Sequence, residues 1–151
     1  MSRIIAIVSL ISLLSHLSLG APTIAAGSKK NFYLVSCRDY EGTYDAIAYY
    51  PNGPPKTANE WPSEIGEVSR PSEKWEGVER EADIFDDDWF IVRINEGAAS
   101  MKKGEIAGTG SFEGEPFVCF KSEGVLFTKR LVVCEARYWC PSIDVGGENT
   151  V

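Results

Sequence analysis

Short runs of aromatic and β-branched residues recur along this chain, and glycines separate them. The runs Asn31–Cys37 (NFYLVSC), Thr43–Tyr50 (TYDAIAYY), Trp89–Ile94 (WFIVRI), Gly104–Thr109, Pro116–Phe120, Val125–Lys129 and Leu131–Trp139 carry the strand signature. Asp39 to Gly42 offers a hairpin turn between the first two, and Gly110, Gly114 and Gly124 punctuate the later ones. Only Ala98–Lys103 and Ser72–Glu81 look briefly helical, and Gly77 interrupts the second. Seven short strands without an internal repeat predict an antiparallel β-sandwich or small barrel.

The pattern breaks down between Pro51 and Asp88. Pro51, Pro54, Pro55, Pro62 and Pro71 fall here, and aliphatic residues are sparse. The segment is expected as one long ordered loop. Trp61 and Trp75 are expected to pin it to the β core. The functional alternative makes these two rings, with Tyr49 and Tyr50, a platform for a sugar or a partner protein.

The first 20 residues have the organisation of a secretory leader. Arg3 supplies the positive end, Ile4 to Leu14 is apolar apart from Ser9 and Ser12, and Ser18-Leu19-Gly20-Ala21 suits cleavage after Gly20. The run is too short for a membrane span, which needs about 20 apolar residues. Residues 21–30 read as a propeptide or flexible linker that ends in the dibasic pair Lys29-Lys30. A second pair, Lys129-Arg130, is expected to be protected inside folded structure. A single β-rich domain is expected over 31–145, with a frayed tail at 146–151.

All four cysteines, Cys37, Cys119, Cys134 and Cys140, follow the leader. An even number in a short exported chain implies two disulfides, so the predicted sheet is disulfide-linked. Three pairings are possible. Cys37 stands far from the others, so one bridge is expected to tie the first strand to the C-terminal region. The four are too widely spaced for a thiolate zinc site. No N-glycosylation sequon occurs.

Charge and residue types then narrow the chemistry. The 151-residue chain has 15 basic and 22 acidic side chains and a formal charge of -7. Loss of Arg3 with the leader makes it one unit more negative. This acidic balance argues against nucleic acid as a partner. The one histidine, His16, lies in the leader. The exported chain therefore lacks Ser-His-Asp and Cys-His catalysis and histidine proton transfer. No phosphate-binding loop occurs, and nothing in the pattern calls for a cofactor. The acidic run containing Asp83, Asp86, Asp87 and Asp88 could hold Ca²⁺, but its spacing differs from an EF-hand loop and a solvated turn is the simpler reading. Glu135 interrupts an otherwise apolar run, and a partner is expected in Arg93 or Arg137.

The stretches FYLVSC at Phe32–Cys37, YDAIAYYPNGP at Tyr44–Pro54, KGEIAG at Lys103–Gly108, FVCFK at Phe117–Lys121 and YWCPSI at Tyr138–Ile143 resemble small secreted, effector-type proteins of filamentous ascomycete fungi. The resemblance implies an extracellular role at a host or competitor interface. The expectation is a secreted, non-catalytic binding protein whose partner is an extracellular protein or glycan. The alternatives are a carbohydrate-binding module and a carboxylate-dependent hydrolase.

Overall fold

A computed structural model describes residues 25–144 of the chain. The leader at 1–20, the first part of the linker and the tail at 146–151 lie outside the described residues. Nine strands follow in order: β1 (Ala25–Asp39), β2 (Gly42–Tyr50), β3 (Glu64–Ser69), β4 (Glu79–Phe85), β5 (Asp88–Ile94), β6 (Ile106–Phe112), β7 (Glu115–Lys121), β8 (Val125–Lys129) and β9 (Val132–Asp144). All named strand pairs are antiparallel. The sheet runs β3-β2-β1-β9-β7-β6-β5-β4, with β8 also paired to β9. The ends of this path approach each other at Gly66 of β3. A Cβ there would lie 2.6 Å from the Asp83 carbonyl oxygen and 2.7 Å from the Ala82 Cβ of β4. Only glycine permits that approach. The result is the expected all-β architecture, a disulfide-linked, nearly closed antiparallel barrel.

Phe32 is the centre of the barrel core. Its ring stacks on Phe90 at 3.9 Å and on Tyr49 at 4.8 Å, and meets Phe112 and Phe117 at 5.1 Å each. Leu34, Ile47, Val92, Ile94 and Tyr138 belong to the same buried group. The other face of β1 and β2 is buried as well, with Tyr33, Val35, Ala46, Ala48 and Tyr50 packed against Leu126 and Phe127 of β8. Burial on both faces explains why these two segments read as nearly continuous apolar runs.

Both bridges join opposed residues of neighbouring strands. Cys37 of β1 pairs with Cys134 of β9, and Cys119 of β7 with Cys140 of β9. The first bridge ties the first strand to the C-terminal region, as expected. The pairing is interlocked, first to third and second to fourth.

The segment from Pro51 to Asp88 differs from its expectation as a single loop, because it contains β3 and β4. Outward positions on these end strands carry Glu67, Glu79, Glu81 and Asp83, whereas inward ones carry Gly66, Ala82 and Ile84, and Glu64 is exposed at the first position of β3. These charges face solvent on the outside of the barrel. They also hide the apolar alternation. The acidic run then has a turn role. Asp86 and Asp87, with φ of 27° and 86°, form the two-residue connection between β4 and β5. Aspartate tolerates this left-handed backbone better than most residues.

Two further differences concern the dibasic pairs. β1 begins at Ala25, so Lys29 and Lys30 sit in a strand rather than a loose linker. Lys30 Nζ lies 2.7 Å from Glu113 and 3.4 Å from Glu115. Lys129 and Arg130, by contrast, are exposed where the chain turns from β8 into β9. Of the two briefly helical stretches, Ala98–Ser100 forms one 3-10 turn, and residues 79–81 of the other belong to β4.

Candidate functional site at the barrel mouth

The inner faces of β1, β2 and β9 change character along their length. The row Ile47–Leu34–Tyr138 is apolar and belongs to the core. The next row is Asp45–Ser36–Glu135, and the last is Thr43–Arg38–Val133. Side chains two apart on a strand share a face, so the switch from apolar to polar marks where the filled barrel ends and its mouth begins. A groove of about 370 Å³ lies there, lined by Ser36, Cys37, Arg38, Thr43, Ser72, Val133, Glu135 and Arg137. Barrel mouths are a common place for binding sites.

Beneath the groove is Asp45, only 2% exposed. It has no cationic partner among the described residues. Its carboxylate instead accepts hydrogen bonds from the Ser36 hydroxyl (2.7 Å), the Ser69 hydroxyl (3.3 Å) and the Glu73 backbone N–H (2.7 Å). A buried carboxylate held in this way braces three segments at once. The brace continues outward, because Ser36 Oγ accepts a hydrogen bond of 3.2 Å from Arg137 Nε. Arg137 then reaches Glu135 at 3.4 Å. Of the two partners expected for Glu135, Arg137 is therefore the one in contact. Arg93 stands opposite Glu79 on β5 instead.

Two further arginines around the mouth are paired. Arg70 lies 3.2 Å from Asp39 and 2.9 Å from Glu67, and stacks over the Tyr44 ring at 4.2 Å. The Arg70 hydrogen bond holds the Asp39 carboxyl below the usual carboxylate range. Arg80 holds Glu73 at 2.7 Å. In the adjoining core row, the Tyr138 hydroxyl donates to Glu76, and burial followed by that carboxylate pushes the phenol well above its ordinary value. Arg38 lines the groove and makes no ion pair among the described residues. The buried Ser72 hydroxyl oxygen has no hydrogen-bond partner there either.

The four aromatic residues expected to form a platform do not share a surface. Tyr49 and Trp75 are buried in the barrel core, and Tyr50 is buried on the opposite face of β2. Trp61 is 36% exposed, but it packs on Phe127 at 4.7 Å and carries Lys129 over its ring at 4.5 Å. The two tryptophans therefore pin their segments, as the anchoring reading has it. The most exposed tryptophan is instead Trp89 on β5, at 44%, opposite Asp83 of β4. No three acidic or cysteine side chains among the described residues converge as a metal site, and Asp83, Asp86, Asp87 and Asp88 are divided between two strands and a turn.

Sequence reasoning missed Ser36, Arg38, Thr43 and Ser72. The signal available was the phase of the strand. Phe32 and Leu34 are followed at the same spacing by Ser36 and Arg38, and Ile47 and Tyr49 are preceded by Thr43 and Asp45. No helix among the described residues is long and apolar enough to cross a membrane. Compared with family models, with curated proteins and with solved structures, the chain matches none of them.

Proposed function

We propose that the protein acts outside the cell as a non-catalytic, effector-type binding protein that engages a host or competitor target at the mouth of its barrel. The observation that carries this reading is a polar, braced groove set over a barrel filled with aromatic side chains. A filled barrel leaves no room for an interior ligand, so recognition falls to the rim and mouth. Asp45 spends its carboxylate on three structural donors, which suits a scaffold better than an acid catalyst. Two bridges and a leader-like start support export.

The test is retention on the immobilised, oxidised chain from residue 21 onward, using extracellular fluid of a challenged host tissue. The wild-type chain is compared with an Arg38→Ala/Arg137→Ala variant. A retained component lost with that variant supports the reading. Equal retention by both moves the contact away from the mouth. Turnover of a glycan or peptide by the purified chain would overturn the non-catalytic assignment.

A further inference from the structure

We propose that the barrel mouth binds an anionic oxygen group, a carboxylate or a phosphate, between the guanidinium groups of Arg38 and Arg137. This inference rests on the mouth being the binding site and names the chemistry it accepts. Asp39 and Glu67 are held by Arg70, Glu73 by Arg80, and Asp45 by two hydroxyls and one N–H. Arg38 is the cation lining the groove that has no carboxylate partner among the described residues. Its fork of N–H donors is matched by planar anions that accept two bonds at once.

Arg137 lines the same groove. Its Nε is spent on Ser36 Oγ, and Ser36 is itself fixed by the buried Asp45. That chain fixes the guanidinium before any ligand arrives, which lowers the ordering cost of binding. Ser72 and Thr43 add hydroxyls to the lining, and the Ser72 oxygen is buried without a partner. A buried hydroxyl in that condition costs free energy until something bonds to it. One lining group opposes an anion. Glu135 occupies Arg137 at 3.4 Å and adds a negative charge. An incoming anion must compete with it, so Glu135 tunes affinity downward.

The opposition of Glu135 gives the test a sign. Sodium glucuronate and inorganic phosphate are titrated separately into the oxidised chain from residue 21 onward, with binding read by calorimetry and by amide chemical shifts around Ser36 and Arg38. Saturable binding of either probe supports the proposal, and the probe that binds identifies the source as carboxylate or phosphate. Arg38→Ala and Arg137→Ala should each weaken binding by roughly tenfold or more. Arg38→Lys should recover only part, because an ammonium lacks the fork. Glu135→Gln should tighten binding. Lys102→Ala, away from the groove, should leave it unchanged. Arg38 and Glu135 are exposed, so their variants keep the fold, and a superimposable amide spectrum outside the mouth checks this. Absence of saturable binding by both probes overturns the proposal. So does weakening by Glu135→Gln, or a loss with Lys102→Ala equal to that with Arg38→Ala. Anion binding that fails while target retention persists sinks this inference alone. Retention indifferent to Arg38 and Arg137 sinks the assignment of the target to the mouth.

Discussion

Removing the two bridges one at a time should separate their contributions by loop length. The Cys37–Cys134 bridge spans 97 residues and the Cys119–Cys140 bridge spans 21. Cross-linking lowers the conformational entropy of the unfolded chain by an amount that grows with the logarithm of the loop. The expected contributions are about 4.7 and about 3.3 kcal/mol, a difference of about 1.4 kcal/mol. All four cysteines are at most 2% exposed. Replacing either pair with alanine thus leaves comparable voids, and the packing cost largely cancels in the difference. Equilibrium urea unfolding of Cys37→Ala/Cys134→Ala and Cys119→Ala/Cys140→Ala, followed by tryptophan fluorescence, measures it. With a slope of about 2 kcal/mol per molar urea, the long-loop variant should unfold about 0.7 M earlier. Equal midpoints, or an earlier one for the short-loop variant, would refute the entropic account. Midpoints unchanged from the parent would refute any structural role for the bridges.

Three more outcomes follow from the same geometry. Phe32→Ala removes the ring at the centre of the aromatic cluster and should cost about 3–5 kcal/mol in chemical denaturation; a loss below about 1 kcal/mol would show that the cluster repacks around the void. Burial pushes the Tyr33 phenol up to about 12, so folding favours its protonated form. The stability this adds is complete below about pH 10 and falls away as pH rises toward about 12, because the unfolded chain ionises first. Beyond the ionisation of exposed Tyr40, phenolate absorbance should therefore rise together with loss of near-ultraviolet circular dichroism, and full tyrosine ionisation near pH 10 in a folded chain would contradict the burial. A dibasic-specific endoprotease should cut the native chain after Arg130, at the exposed turn, before it cuts after Lys30 in β1. Mass analysis of the first fragments decides this, and an initial cut at Lys30–Asn31 would show that the start of β1 opens readily.

Strand-rich architecture and disulfide formation were legible because they rest on local chemistry. Period-two runs such as WFIVRI declare a half-buried strand wherever they are placed. Four cysteines after a leader-like segment declare bridges without saying which pair. β3 and β4 escaped notice because an end strand keeps few inward apolar positions and fills its outward ones with acids. Glu79–Phe85 looks like a charged loop until Ala82 and Ile84 are seen facing the core. The aspartates that suggested a cation site belong to the hairpin joining β4 to β5, where backbone sign outweighs side-chain charge.

The candidate site was almost invisible beforehand, since its residues come from positions 36 to 38, 43, 72 and 133 to 137. No local pattern relates Ser36 to Asp45, or either to Arg137. Strand pairing alone brings them into one row. Composition and periodicity determined that this chain makes a bridged antiparallel β fold, sandwich or barrel, because burial and oxidation act on each segment by its own chemistry. Only the closed sheet decided which cysteines meet, which tryptophan stays exposed, and that Arg38 and Arg137 line one groove. Those are relations between distant segments, and register is what sets them.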